Sequence, residues 1–230
     1  MGGEELGVFG SLAKAFQDGG VGMYPIAFMS VFALAVLADR FYALYFKNNI
    51  DKDAFLRGLK KYIYAGDLDK AISYVAGQKR TPLTAVVKSG LINVPKGEAE
   101  VQAAMDEASL RENPKIETRT GYLAMIGNVS TLFGLLGTIL GLIKCFGAVA
   151  QVDPATKATV LSLGISEAMN CTAFGLTVAI PSLLAFSVFQ GRTQHMLDDI
   201  NETTVGLLNL IIANKDKMKI PESLEEAAEE

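Results

Sequence analysis

Thr138 and Thr172 each sit inside a long apolar run, and Lys144 and Glu167 lie in the same two runs. A hydroxyl donates and accepts hydrogen bonds, so it can pass a proton along. A carboxylate can take one up, and an ammonium can repel a cation or hold a carboxylate charged. A charge at mid-bilayer costs about 2.5–3.5 kcal/mol on insertion scales, so groups of this kind face protein or water rather than lipid. The chemistry open to the set is movement of a small cation, a proton above all, through an apolar medium. Other chemistry is poorly served. His195 is the only histidine and reads as a surface residue, so no metal site is expected. Cys145 and Cys171 lie at depths of roughly 8 and 21 Å, too different for a bridge, and read as small packing residues. There is no Walker loop, Rossmann fingerprint or nucleophile elbow. An enzyme is therefore not expected, no cofactor is implied, and an ion gradient is the candidate energy source.

The elements that must position these residues are membrane helices. Half of the 230 residues are apolar and a fifth are charged, a balance that suits a polytopic membrane protein with one sizeable aqueous part. The net charge of -4 and the lack of a basic, aromatic-interleaved run exclude nucleic acid as a partner. A bilayer core needs about 20 apolar residues in a helix. Three stretches qualify: residues 21–46, 121–150 and 158–190, here called spans one, two and three. The segment 1–20 lacks the features of a cleavable signal, so span one is expected to be a retained anchor. The fold class is all-α, with three long transmembrane helices and a helical domain at 47–120. A short link at 151–157, an amphipathic helix at 191–220 and an acidic tail at 221–230 complete the organisation.

Lysine and arginine set the expected orientation. Thirteen fall between 47 and 120, against one before residue 21 and one in the link. The large domain and the C-terminus are expected in the cytoplasm; the N-terminal segment and the link are expected outside. Within 47–120, Phe55, Leu59 and Tyr62 recur at helical spacing up to a stop at Gly66. Asp67 caps a second helix that ends near Gly77. Thr81-Pro82 opens a third, stopping around Gly90. A polar helix from Glu98 leads to span two, and Pro114 is expected to kink or break it. In the later helix Met196, Ile200, Thr203, Leu207 and Leu210 share one face, which suggests contact with another helix.

At about 1.5 Å per residue, counted from the link, Thr138 and Thr172 both lie roughly 18–23 Å deep, Glu167 about 15 Å and Lys144 about 9 Å. Two hydroxyls on successive antiparallel helices thus reach similar depth. Span two also carries a seam of small residues, Gly127, Thr131, Gly134, Thr138, Gly141, Cys145 and Ala148, stepping alternately by four and three. Span three has a shorter counterpart in Thr172, Gly175, Ala179 and Ser182. Such faces let other backbones approach closely. One reading is packing within the chain; the other is a narrow lumen or a socket for a foreign helix. The length of the seam favours the second, with Gly127, Thr131, Gly134, Gly141, Gly175 and Ala179 facing a pore or partner. Lys144 either extends its stem towards the surface, pairs with Glu167, or offsets a carboxylate on a partner helix.

At "GLLGTILGLIKCF" (134–146) and "GISEAMNCTAFGLTVAIPSLL" (164–184) the sequence resembles the ExbB/TolQ/MotA family of proton-channel stator proteins, and most closely its ExbB and TolQ branch. Gly134-Leu135-Leu136-Gly137-Thr138 with Gly141 matches the span-two pattern of that family. Gly164, Ile165, Glu167, Ala168, Thr172, Ala173, Gly175, Leu176, Ala179, Ile180 and Pro181 match its span-three pattern. The resemblance implies a bacterial inner-membrane homo-pentamer around two single-span partners of the ExbD/TolR type. It implies that a partner aspartate carries the proton past Thr138 and Thr172, with Glu167 as the family's span-three acid. It also implies a TonB- or TolA-like envelope effector. Lys144 departs from the pattern, standing where a neutral polar residue is common, and is a candidate for tuning charge along the path. Asn170 and Ser130-Thr131 are further departures. The function expected is that of a subunit in a motor driven by the proton-motive force. The competing reading is a scaffold that assembles partners and conducts nothing.

Overall fold

In lipid a backbone must satisfy its own hydrogen bonds, which a helix does within one segment. In the computed structural model, which describes Phe16, residues 19–214 and Lys217, every regular element is helical. Helix α1 (Met23–Tyr42) runs into a π-helical turn (Ala43–Lys47). Then come α2 (Lys52–Tyr64), α3 (Leu68–Ala76), α4 (Pro82–Ile92), a 3-10 turn (Val94–Lys96) and α5 (Glu98–Glu117). Helices α6 (Thr120–Val149) and α7 (Lys157–Asn214) complete the order. Three helical stretches, containing α1, α6 and α7, are long and apolar enough to cross a membrane. Apart from Phe16, Gly19 and Gly20, the segment 1–20 lies outside the described residues, as do the acidic tail 221–230 and most of 215–220.

The chain forms two units. The first comprises residues up to Asp39 together with Arg119–Val188. In it α1 buries Met23, Ile26, Met29, Ala33 and Val36, a stripe at steps of three and four. Met23, Ile26 and Cys171 form a buried cluster against Phe133, Phe174 and Val178. Leucines and isoleucines such as Leu132, Leu136, Ile139, Leu163, Ile180 and Leu184 stay exposed, as suits helices whose solvent is lipid.

The second unit comprises Arg40–Thr118 and the chain from Phe189 onwards. Its helices begin on side-chain caps. The carboxylate of Asp51 accepts from the Ala54 N–H at 3.0 Å and that of Asp67 from the Lys70 N–H at 3.0 Å. Thr81 and Thr84 cap each other's backbone reciprocally, with Pro82 in the first turn. Gly66, at φ 74, takes the left-handed turn between α2 and α3. Phe55 and Leu59 are buried, but Ile63 rather than Tyr62 completes their stripe. Tyr62 is half-buried, with its ring 5.6 Å from that of Tyr74. Helix α4 continues through Gly90 to Ile92 because that glycine is a packing site: a Cβ there would lie 2.6 Å from the Met105 side chain. Helix α5 also runs through Pro114 and stops at Glu117, where Thr118 turns extended and Arg119 is left-handed at φ 66. Proline removes one N–H from the ladder, and the helix tolerates that loss. The end is fixed by buried Arg40, which donates to the Thr118 carbonyl. On the latter part of α7 the buried face holds Leu197, Ile200, Thr203, Leu207 and Ile211, while Met196 and Leu210 are half-buried at its edges.

One ion cluster ties α2 to α7. The Lys52 ammonium lies 2.8 Å from Asp199 Oδ1 and 2.5 Å from Glu202 Oε2. Hydrogen bonding to Asp199 first, and then to Glu202, raises the Lys52 pKa above its ordinary 10.5. A raised value on a cation means that the stabilisation is fully present below the unfolded-state value. It is lost as the pH climbs through the folded-state one. Lys52→Met is therefore expected to lower the melting temperature at neutral pH, and the gap to the parent should close above pH 10.5. A gap that stays constant through that range would show that the pair contributes nothing.

Candidate functional site

The site lies in the first unit, where α6 and the first part of α7 run antiparallel. Small residues set their spacing. A Cβ on Gly127 would lie 2.7 Å from Leu183 Cγ. One on Gly134 would lie 3.2 Å from Thr172 Cα, and one on Gly141 3.2 Å from Ala168 Cβ. Gly164 faces Cys145, and a Cβ on Gly175 would come 2.8 Å from the Ser130 carbonyl. As numbers rise along α6, their contacts fall along α7, so the seam is one continuous backbone-to-backbone contact.

This corrects the expectation that the seam meets a foreign helix. Gly127, Gly134, Gly141, Gly175 and Ala179 are taken up by packing within the chain. The periodicity identified a close-approach face correctly but could not say whose backbone approaches. Thr131 is exposed and turns its hydroxyl back to the Gly127 carbonyl at 3.0 Å. Ser130 is fully buried, and its hydroxyl has no partner among the described residues.

Close packing brings the two central hydroxyls together. Thr138 Oγ1 and Thr172 Oγ1 hydrogen-bond to each other. Thr138 Oγ1 also lies 3.1 Å from the carbonyls of Gly134 and Ala168, and Thr172 Oγ1 lies 3.2 Å from Gly134 O. Each hydroxyl has one proton to give, so several arrangements of two protons among these acceptors compete. Either hydroxyl can be the donor to the other.

Glu167 lies nearer the link. Its Oε1 is 3.7 Å from Lys144 Nζ, so the two charges are paired within the chain. The turn before α1 covers the carboxylate: Gly20 has φ 67, and a Cβ there would sit 2.2 Å from Glu167 Oε1. Gly22 packs against Cys171 and Gly137 in the same way. The Gly19-Gly20-x-Gly22 string is the sequence signal for this contact, and it lies outside the periodic faces of the spans. Beside the pair lies a cavity of about 260 Å³, walled by residues such as Pro25, Phe133, Leu136 and Leu140. Lys144 and Glu167 are the charged groups on its lining.

The pairing can be checked by a double-mutant cycle. Lys144→Met and Glu167→Gln are each expected to destabilise the protein, and the double variant less than their sum. A coupling of about 0.5–3 kcal/mol is typical of residues in contact. Strict additivity of the melting shifts would mean that the ammonium ignores the acid.

The family that the sequence motifs resemble is also the one that comparison with known proteins gives. Residues 78–202 match the model of the MotA/TolQ/ExbB proton channel family, more than half of the chain. The chain belongs to that family. Among its relatives is the Tol-Pal system protein TolQ of Pseudomonas aeruginosa, 40% identical over 97 residues, which are 42% of each chain. The biopolymer transport protein ExbB of Salmonella typhimurium is 31% identical over 166 residues, 64% of this chain and 66% of that one. The biopolymer transport protein exbB1 of Vibrio cholerae is 28% identical over 209 residues, covering 83% and 87%. The matches to TolQ and to the Salmonella ExbB thus span less than two thirds of those relatives. Family membership, with three helices able to span a bilayer, makes this a multi-pass membrane protein of a channel family rather than an enzyme.

Proposed function

We propose that the chain is the ring-forming subunit of a motor driven by the proton-motive force, and that protons pass the Thr138–Thr172 pair. The observation that carries the reading is the mutual hydrogen bond of these two hydroxyls, with the carbonyls of Gly134 and Ala168 in reach, deep in otherwise apolar helices. Glu167, held by Lys144, lies on the path towards the outer side. Five copies surround two single-span helices of the ExbD/TolR type, whose aspartate takes and releases the proton. The ring passes force to a TonB- or TolA-like envelope protein in the bacterial inner membrane. The N-terminus and the link face outward, and the 47–120 domain and C-terminus face the cytoplasm.

The intrachain fate of the glycine seam moves the expected pore edge. A second stripe supports the new position: Ser162, Ser166, Ala173 and Thr177 are exposed and Asn170 half-exposed, at steps of four and three along α7. Thr177 bonds the Ala173 carbonyl at 2.9 Å within its own helix. Lipid gives the hydroxyls of Ser162 and Ser166 and the Asn170 amide nothing to bond, so this part of the edge suits a partner helix, a neighbouring copy or water. Thr172 adjoins this stripe, which puts the relay within reach of whatever fills it.

One observation favours the scaffold reading: small residues spent on internal packing no longer require a lumen. Reconstitution separates the two. The chain co-purified with a single-span partner encoded beside it, and placed in liposomes, is expected to admit protons when a potential is applied. Changing the partner's membrane aspartate to asparagine should stop the flux. A stable complex that never conducts would leave the scaffold as the better account.

A further inference from the structure

The second unit carries a basic groove that the spans do not explain. It is a cavity of about 420 Å³ between the end of α3, α4 and α5. Arg80, Lys88 and Arg111 line it over a floor that includes Val75, Ala85 and Ile92, and its lining holds no carboxylate. None of the three cations has a salt-bridge or hydrogen-bond partner among the described residues. Elsewhere in the unit Lys52, Lys70 and Lys115 each find an acid. Arg57, Lys60, Lys61 and Lys96 do not among the described residues, so what distinguishes the three is that they share one concavity. Three like charges converging on one concavity raise the local potential, and the arrangement is relieved when an anion enters.

We infer that this groove docks the acidic tail of the chain itself, "ESLEEAAEE" at 222–230. The tail has five glutamates in nine residues and no lysine or arginine. Glu222, Glu225, Glu226 and Glu229 supply the carboxylates that Arg80, Lys88 and Arg111 lack. Leu224 offers an apolar side chain for the floor. The tail belongs to the chain that continues from α7, whose last residue is Asn214. Eight residues of extended chain reach about 28 Å, so the tail starts within that distance of Asn214. Each exposed ion pair is weak alone. A tether offsets that weakness by holding the tail at an effective concentration on the order of millimolar. An acidic segment of another protein or an anionic lipid surface would satisfy the same charges but has no such tether.

The test uses the full chain in detergent or nanodiscs. A zero-length carbodiimide cross-linker is expected to join Lys88 to a tail glutamate, found by mass spectrometry. The product should fall several-fold at about 0.5 M salt, where screening acts within a few ångström. Hydrogen exchange gives a second readout free of substitutions: amides of α4 and the end of α5 should exchange several-fold faster once residues 222–230 are removed. Arg80→Glu with Arg111→Glu should give the same acceleration with the tail present. Glu225→Lys with Glu226→Lys in that background should reverse it. The inference is overturned if the tail cross-links elsewhere while Lys88 stays free, or if Lys88 cross-links only to another protein. It is equally overturned if truncation leaves exchange in the groove unchanged, or if vesicles of anionic lipid protect the groove equally with and without the tail.

Discussion

Thr138→Val and Thr172→Val are each expected to cut proton flux through the reconstituted complex by on the order of a hundredfold, the low end of what a positioned proton-transfer group contributes. Valine keeps the branched shape of threonine, so the contact between α6 and α7 should survive and the proteins should assemble. What disappears is the interchangeable donor and acceptor. With Thr138 gone, Thr172 Oγ1 keeps the Gly134 carbonyl at 3.2 Å as a static acceptor, and its proton has nowhere to pass. The double variant should be hardly worse than either single one, because one broken link already interrupts a relay. The measurement is dye-reported acidification of liposomes under an applied potential, with complex yield as the control. Normal flux from both single variants would remove the two hydroxyls from the path while leaving family membership intact.

Gly175→Val is expected to damage folding rather than conduction. A Cβ at Gly175 would lie 2.8 Å from the Ser130 carbonyl oxygen and 3.1 Å from Gly134 Cα. Both are backbone atoms, which cannot rotate aside as a side chain can. Opening the seam to admit the valine would also separate Thr138 from Thr172 and disturb Gly134 and Gly127 along the same edge. Overpacking of this kind costs about 1–3 kcal/mol, and more where backbone must move. The melting temperature of the purified protein should fall, and complex yield with it. The contrast is Gly147→Ala and Gly206→Ala, where a new Cβ meets nothing within 4 Å. These should be neutral, or stabilising by up to about 1 kcal/mol through helix propensity. If Gly175→Val melts like Gly147→Ala, the seam does not bear the packing that its distances imply.

Much of this protein was legible in one dimension. Hydropathy and length marked the three spans, because crossing a bilayer is a property of a segment and not of its neighbours. The fixed rise of a helix put Thr138 and Thr172 at one depth before any contact was known. The caps at Asp67 and Thr81 were legible because their hydrogen bonds close within three residues. Tertiary structure decided what periodicity leaves open. A helical repeat defines a face but carries no information about which element covers it, so the glycine seam could be read as a socket until α7 was seen to fill it. For the same reason the glycines before α1 gave no warning that they cover Glu167, and Lys144 could be assigned to solvent or to a partner until its distance to that carboxylate was known. Burial likewise chose Ile63 over Tyr62, since spacing admits both and only the surroundings distinguish an all-carbon side chain from one with a hydroxyl to satisfy.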